Sequence, residues 1–161
     1  MMKPQAPAVI AEAIAQGVQL ATAESLTAGM IAARLAEVSG ASAVLRGGVV
    51  SYSSDVKREL LKVDADLLET HGSVDPEVAR QMALGALQAC GADLAVSATG
   101  VAGPEAHDGK SVGTVFIGWA RGEESGSKEH HFVGDRAQIR EQSTQAALQQ
   151  LAVILNKASS Q

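Results

Sequence analysis

Apolar and polar positions switch between two periods along this chain of 161 residues. Residues 7–17 (PAVIAEAIAQG) repeat apolar positions at helical spacing in an alanine-rich stretch closed by Gly17, and residues 18–24 (VQLATAE) follow as a short apolar run suited to a buried strand. Helical spacing returns from Thr27, with Ile31, Leu35 and Val38 in step until Ser39-Gly40, so SLTAG forms a tight turn between strand and helix. Residues 44–53 (VLRGGVVSYS) are β-rich, and their Gly-Gly pair marks a bulge or a close backbone approach before the helical SDVKRELL. Residues 63–72 read as a second short helix or turn. Residues 75–90 open with Asp75 as N-cap and Pro76 at the first helical position, and Ala79, Met82, Ala83, Ala86 and Cys90 share one face.

Residues 92–100 (ADLAVSATG) are apolar without alternation, as a central strand covered on both faces requires. VAGPEAHDGKS comes next, the longest Gly/Pro-rich segment and the leading candidate for a functional loop. Residues 111–120 and 129–134 read as an antiparallel hairpin across a turn-like RGEESGSK, and a closing helix over about 135–156 turns Ile139, Ala147, Leu151 and Leu155 inward. Helices and buried strands alternate ahead of the hairpin. The expected fold is therefore α/β, a three-layer α/β/α sandwich with a mixed, mostly parallel sheet. No repeat or linker divides the chain, and a single domain over 1–161 is expected.

Composition narrows the function classes. Thirteen Lys and Arg against eighteen Asp and Glu leave a formal charge of −5, which disfavours nucleic acid and membrane surfaces as partners and obliges an anionic ligand to meet cations supplied locally. Aromatic residues make up 2% of the chain against 29 alanines, so stacking platforms for single-stranded nucleic acid are lacking and helices must pack closely on the sheet. Cys90 is the single cysteine, so no intrachain disulfide forms, and His71, His107, His130 and His131 show no metal-ligand spacing. No metal site is expected. No apolar run approaches the ~20 residues that cross a bilayer, and the first residues lack a secretory signal, which together predict a cytoplasmic chain.

In open α/β sheets ligands collect beyond the carboxyl ends of the strands. Residues 24–29 (ESLTAG), 52–57 (YSSDVK) and 99–104 (TGVAGP) stand there. Ser25 presents a hydroxyl at a strand-to-helix turn, where free backbone amides stabilise an oxyanion; it reads equally as a helix N-cap. Lys57 in an apolar, alanine-rich site loses its proton near neutral pH and acts as a base toward a serine, whereas a lysine in SDVKRELLK taken alone reads as a solvated helix charge. Arg136 and Arg140, four apart on the last helix, either clamp a phosphate or pair with acidic neighbours.

Taken in order, TAESLTAG (22–29), LRGGVVSYSSDVK (45–57), HGSVDPEVA (71–79), SATGVAGPE (97–105), KSVGTV (110–115) and FVGDRAQIR (132–140) resemble the CinA C-terminal-domain family, whose characterised members are nicotinamide-nucleotide amidases. The resemblance implies a mixed-sheet α/β/α fold and hydrolysis of nicotinamide mononucleotide to nicotinic acid mononucleotide and ammonia, by a serine–lysine mechanism with no cofactor or metal. By motif position the serine is Ser25 and the lysine Lys57, with Tyr52 beside them. Glu24, Thr27 and Gly29 of the first segment, and Gly100, Ala102 and Gly103 of the GxAGP loop with Pro104, would shape the substrate pocket. The phosphate of this nucleotide substrate needs a cation, for which Arg46 and Arg136 are the candidates. Family members associate, so a homo-oligomer is expected. Leu26 stands where the family has cysteine, Ala28 where TAESCTGG has glycine, and Asp75 where HGxVS has serine. The first change favours Ser25 as nucleophile. The added methyl of Ala28 motivates an alternative, a non-catalytic nucleotide-binding or regulatory domain of the same fold. Full-length members carry a further N-terminal domain, whose activities the resemblance does not transfer.

Overall fold

The computed structural model describes residues 5–159. Strands β1 (Leu20–Glu24), β2 (Leu45–Val50), β3 (Leu94–Gly100), β4 (Thr114–Arg121) and β5 (Glu124–His131) form one sheet in the order β2-β1-β3-β4-β5. β1 pairs in parallel with β2 and β3, and β4 runs antiparallel to β3 and β5. Four strands thus point one way and β4 the other, the mixed sheet that the sequence predicts. Helices α1 (Gln5–Gln16), α2 (Met30–Ala36) and α6 (Arg136–Ser159) cover one face, around Ile10, Leu20, Ile31, Leu35, Ile139 and Leu151. Helices α3 (Ser54–Leu61), α4 (Ala65–His71) and α5 (Pro76–Cys90) cover the other, around Ala21, Ala23, Leu61, Val78, Met82 and Ala95.

Local chemistry accounts for the main elements. The Asp75 carboxylate accepts the amides of Glu77 and Val78, Pro76 opens α5, and Gly91 at φ 63 ends it. Every residue of β1 is buried, and its alanines, with those of β3, let α5 approach the sheet closely. The approach is tightest where the Ser97 hydroxyl donates to the Ala79 carbonyl at 2.6 Å, and a Cβ on Gly118 would lie 2.1 Å from that same oxygen. Glycine is required there. The Gly47-Gly48 pair marks both features that its sequence suggests. Leu20 pairs with Leu45 and Ala21 with Gly47, which leaves Arg46 as a bulge, and a Cβ on Gly48 would meet the Thr22 hydroxyl at 2.3 Å.

The hairpin departs from expectation. β5 begins at Glu124, where a long turn through residue 128 is expected, because Gly122 (φ 59) turns the chain within two residues and Arg121 pairs directly with Glu124. ESGSK lacks apolar alternation because it lies on the sheet edge, where backbone pairing with β4 suffices. A short 3-10 turn at Ala41–Ala43, which the periodicity does not signal, connects α2 to β2. Among the described residues no helix is long and apolar enough to cross a membrane.

Candidate active site

The carboxyl ends of β1, β2 and β3 bring the three segments together around one cleft of about 480 Å³. Ser25 follows β1 directly, and its amide donates to the Ala98 carbonyl at 3.0 Å, which extends the β1–β3 ladder by one residue and fixes the serine beside the end of β3. The chain then turns sharply through Ala28 (φ 47) and Gly29 (φ 100) into α2. Within that turn the Ala28 amide donates to the Ser25 carbonyl, while the amides of Leu26 and Thr27 have no partner among the described residues.

Lys57 reaches Ser25 from α3. Ser53 caps this helix by accepting the Val56 amide, and one further residue along the helix the lysine side chain turns inward to 1% exposure. Its Nζ lies 2.9 Å from Ser25 Oγ, 2.8 Å from the Ser51 carbonyl and 3.3 Å from the Tyr52 carbonyl. Burial pushes the amine down to about 8, against an opposing pull from the Asp108 carboxylate. A neutral amine has two N–H groups and one lone pair. With the two carbonyls accepting the N–H groups, the lone pair faces the serine hydroxyl.

The remaining candidates divide. Tyr52, 60% exposed, stands at the cleft mouth with its hydroxyl accepting from Arg136 at 3.0 Å. The other terminal nitrogen of Arg136 donates to the Gly103 carbonyl at 2.8 Å. Gly100, Ala102, Gly103 and Pro104 form a cleft wall, and the amides of Ala102, Gly103, Glu105 and Ala106 have no partner among the described residues.

Glu24, Thr27, Gly29 and Arg46, expected at the substrate, do not line the cleft. Glu24 is buried, its carboxylate turned into α2, where it accepts the amides of Ile31 at 2.8 Å and Ala32 at 3.1 Å. Thr27 is buried, and its hydroxyl has no partner among the described residues. Gly29 shapes the start of α2. Arg46 sits at the opposite end of β2, held by the Cys90 carbonyl at 3.0 Å at the close of α5.

Two contributors, Ser51 and Ser73, escape the sequence reading, and a third, Arg140, makes a contact that it does not offer. Ser51 bonds to the Glu24 carbonyl through both its amide and its hydroxyl, besides accepting from Lys57. Arg140 donates to the carbonyls of Leu26 at 2.8 Å and Thr27 at 3.5 Å and so holds the serine turn. Ser73 enters the cleft from the α4–α5 connection. Among the described residues no group of three His, Cys, Asp or Glu side chains is placed to hold a metal ion.

A sequence profile described as the CinA C-terminal domain matches residues 3–155. A CinA-like protein of Mycolicibacterium vanbaalenii is 52% identical over 141 residues, which cover 86% of this chain and 33% of that protein. The chain thus spans about a third of the length of the curated relatives it matches. A competence-damaged protein (CinA) superfamily structure from Klebsiella pneumoniae superposes with a TM-score of 0.92 at 33% identity, over 97% of this chain and 99% of that one. The competence/damage inducible protein of Agrobacterium tumefaciens gives 0.89 at 37% identity, over 94% and 93%.

Proposed function

The chain belongs to the CinA C-terminal-domain family, and on that premise we propose that it is an amidohydrolase that converts nicotinamide mononucleotide and water to nicotinic acid mononucleotide and ammonia. The observation that carries this reading is the 2.9 Å contact between Lys57 Nζ and Ser25 Oγ on the cleft floor.

The neutral Lys57 amine takes the hydroxyl proton as Ser25 Oγ attacks the carboxamide carbon. The amides of Leu26 and Thr27, free of other partners, are the donors available to the oxyanion. As the C–N bond breaks, Lys57 returns the proton to the nitrogen and ammonia leaves. A water molecule then gives a proton to Lys57 and attacks the acyl carbon; the ester bond breaks, the proton returns to Ser25 Oγ, and the acid is released. Arg136 and the free amides of the 102–106 loop supply the positive lining that a phosphate monoester requires. The Ala28 methyl leaves Ser25 and Lys57 within hydrogen-bond range, so the turn gives the non-catalytic alternative no separate support.

Ammonia release from nicotinamide mononucleotide by the purified chain tests the reading. Ser25→Ala and Lys57→Ala should each stay folded and lose about a thousandfold or more in kcat, and the double variant should lose little beyond either single one, as residues acting as a unit do. Full turnover in either single variant overturns the dyad. Tight binding of the nucleotide by the unaltered chain without turnover would favour the alternative.

A further inference from the structure

The loop between β3 and β4 contains a tight turn. His107 and Lys110 bond to each other across it, at 3.1 and 2.8 Å, and the two residues between them, Asp108 (φ 52) and Gly109 (φ 73), are both left-handed. Asp-Gly favours this two-residue geometry. The Asp108 carboxylate lies against the α4–α5 connection, where its Oδ2 accepts the Ser73 amide at 3.0 Å and the Ser73 hydroxyl at 3.3 Å. Gly72 makes the room for it, because a Cβ there would stand 2.7 Å from the carboxylate carbon. The Ser73 carbonyl in turn accepts the Thr99 hydroxyl at 2.8 Å at the end of β3. Loop, connection and strand end all line the cleft. The carboxylate therefore ties the loop to the connection, and Ser73 joins the connection to the strand end.

We propose, resting on the amidase reading of this cleft, that Asp108 is a positioning residue: its latch on Ser73 holds the 101–110 loop in place beside Ser25 before substrate arrives. The loop amides free to meet the substrate are then ordered in advance, which saves the ordering entropy that binding otherwise bears. Asp108 is also the charged group that acts on Lys57, where it favours the protonated amine. The other titratable groups around the latch are His107, with Nε2 3.3 Å from the same oxygen, and the His71 and Asp75 pair on the connection.

Asp108→Asn and Asp108→Ala separate the two roles in the full chain. Asparagine keeps an acceptor for Ser73 without the charge, and alanine keeps neither. In Asp108→Ala, hydrogen exchange at the bonded loop amides of Val101, His107 and Lys110 should accelerate by about tenfold or more, and KM should rise by about tenfold with a smaller change in kcat. Asp108→Asn should restore slow exchange and a low KM, and should move the acid limb of kcat/KM to lower pH. Ser73→Ala, which keeps the amide but loses the hydroxyl, should speed exchange less than Asp108→Ala, and it serves if the latter fails to fold. Unchanged loop exchange in Asp108→Ala, or in Ser73→Ala when it stands in, overturns the latch. If the unaltered chain releases no ammonia, the amidase reading fails on its own, and loop exchange still decides the latch.

Discussion

An ammonium at Lys57 is penalised in the folded chain, where the residue is 1% exposed. The unfolded chain holds this proton up to about 10.5 and the folded chain only up to about 8. Below about 8 both states are protonated and the fold bears the full burial penalty, about 3 kcal/mol. Between about 8 and 10.5 the unfolded state binds more protons, so stability rises with pH; above that range the penalty is gone. The unaltered protein should therefore gain about 3 kcal/mol relative to Lys57→Met between pH 7 and pH 10.5 in urea unfolding, a comparison in which the other titrating groups cancel. A constant difference across that range would show that the amine is not desolvated. In the same terms kcat/KM should climb as pH rises through about 8, since only the neutral amine accepts the serine proton. Ala28 makes a separate prediction at this scale. Its φ of 47 places a Cβ in the left-handed region, at roughly 1–2 kcal/mol. Ala28→Gly relieves that strain and returns part of the gain as unfolded-chain entropy, so a net stabilisation of about 0.5–1 kcal/mol is expected in thermal or urea melts.

Elements are placed by contacts that no single-residue property announces. α5 lies on the sheet because small residues face it, and Gly118 on β4 leaves no space for a side chain beneath the Ala79 carbonyl. Gly118→Ala should push α5 outward and cost about 2 kcal/mol or more in urea unfolding. A loss under about 0.5 kcal/mol would mean that the helix shifts freely on the sheet. The Arg34–Glu141 pair between α2 and α6 forms a good contrast. Its two bonds, at 3.0 and 2.9 Å, join side chains 30% and 40% exposed, and solvent screening holds such a pair to about 1 kcal/mol or less. The same scale explains what the sequence conceals. The α5 cap and its apolar face are legible, because Asp-Pro and the i, i+3, i+4 pattern are local signals. The first part of β5, residues 124–128, is not, because an edge strand of polar residues has no burial pattern to display; its start is marked only by Gly122. The Asp108-Gly109 hairpin turn does carry a local signal, but one submerged in a Gly/Pro-rich loop.

At the scale of the whole molecule, the parallel half of the sheet delivers Ser25 and the lysine segment, while the loop after β3, the α4–α5 connection and α6 deliver other residues that surround them. The pairing of Ser25 with Lys57 was legible from motif order. The environment of the pair was less so, because the carbonyls of Ser51 and Tyr52, six and five residues before Lys57, are backbone groups that no side-chain motif announces, and Arg140 anchors the turn from a helix more than a hundred residues away. Arg46 shows the converse error: a cation beside a Gly-Gly pair looked suited to phosphate, but the direction of β2 carries it to the far end of the sheet. Arg136 instead spans the cleft mouth between Tyr52 and Gly103, and its role is measurable without turnover. Ser25→Ala protein with nicotinamide mononucleotide at 100 times its Kd should be stabilised by about 2.7 kcal/mol, which for a chain of this size raises Tm by roughly 5–10 °C. The riboside, which lacks the phosphate, should give a much smaller rise at the same concentration. Arg136→Ala introduced into the Ser25→Ala protein should erase most of the difference between the two ligands. Equal shifts from nucleotide and riboside would place the phosphate outside the cleft and leave Arg136 as a brace for Tyr52 and the loop.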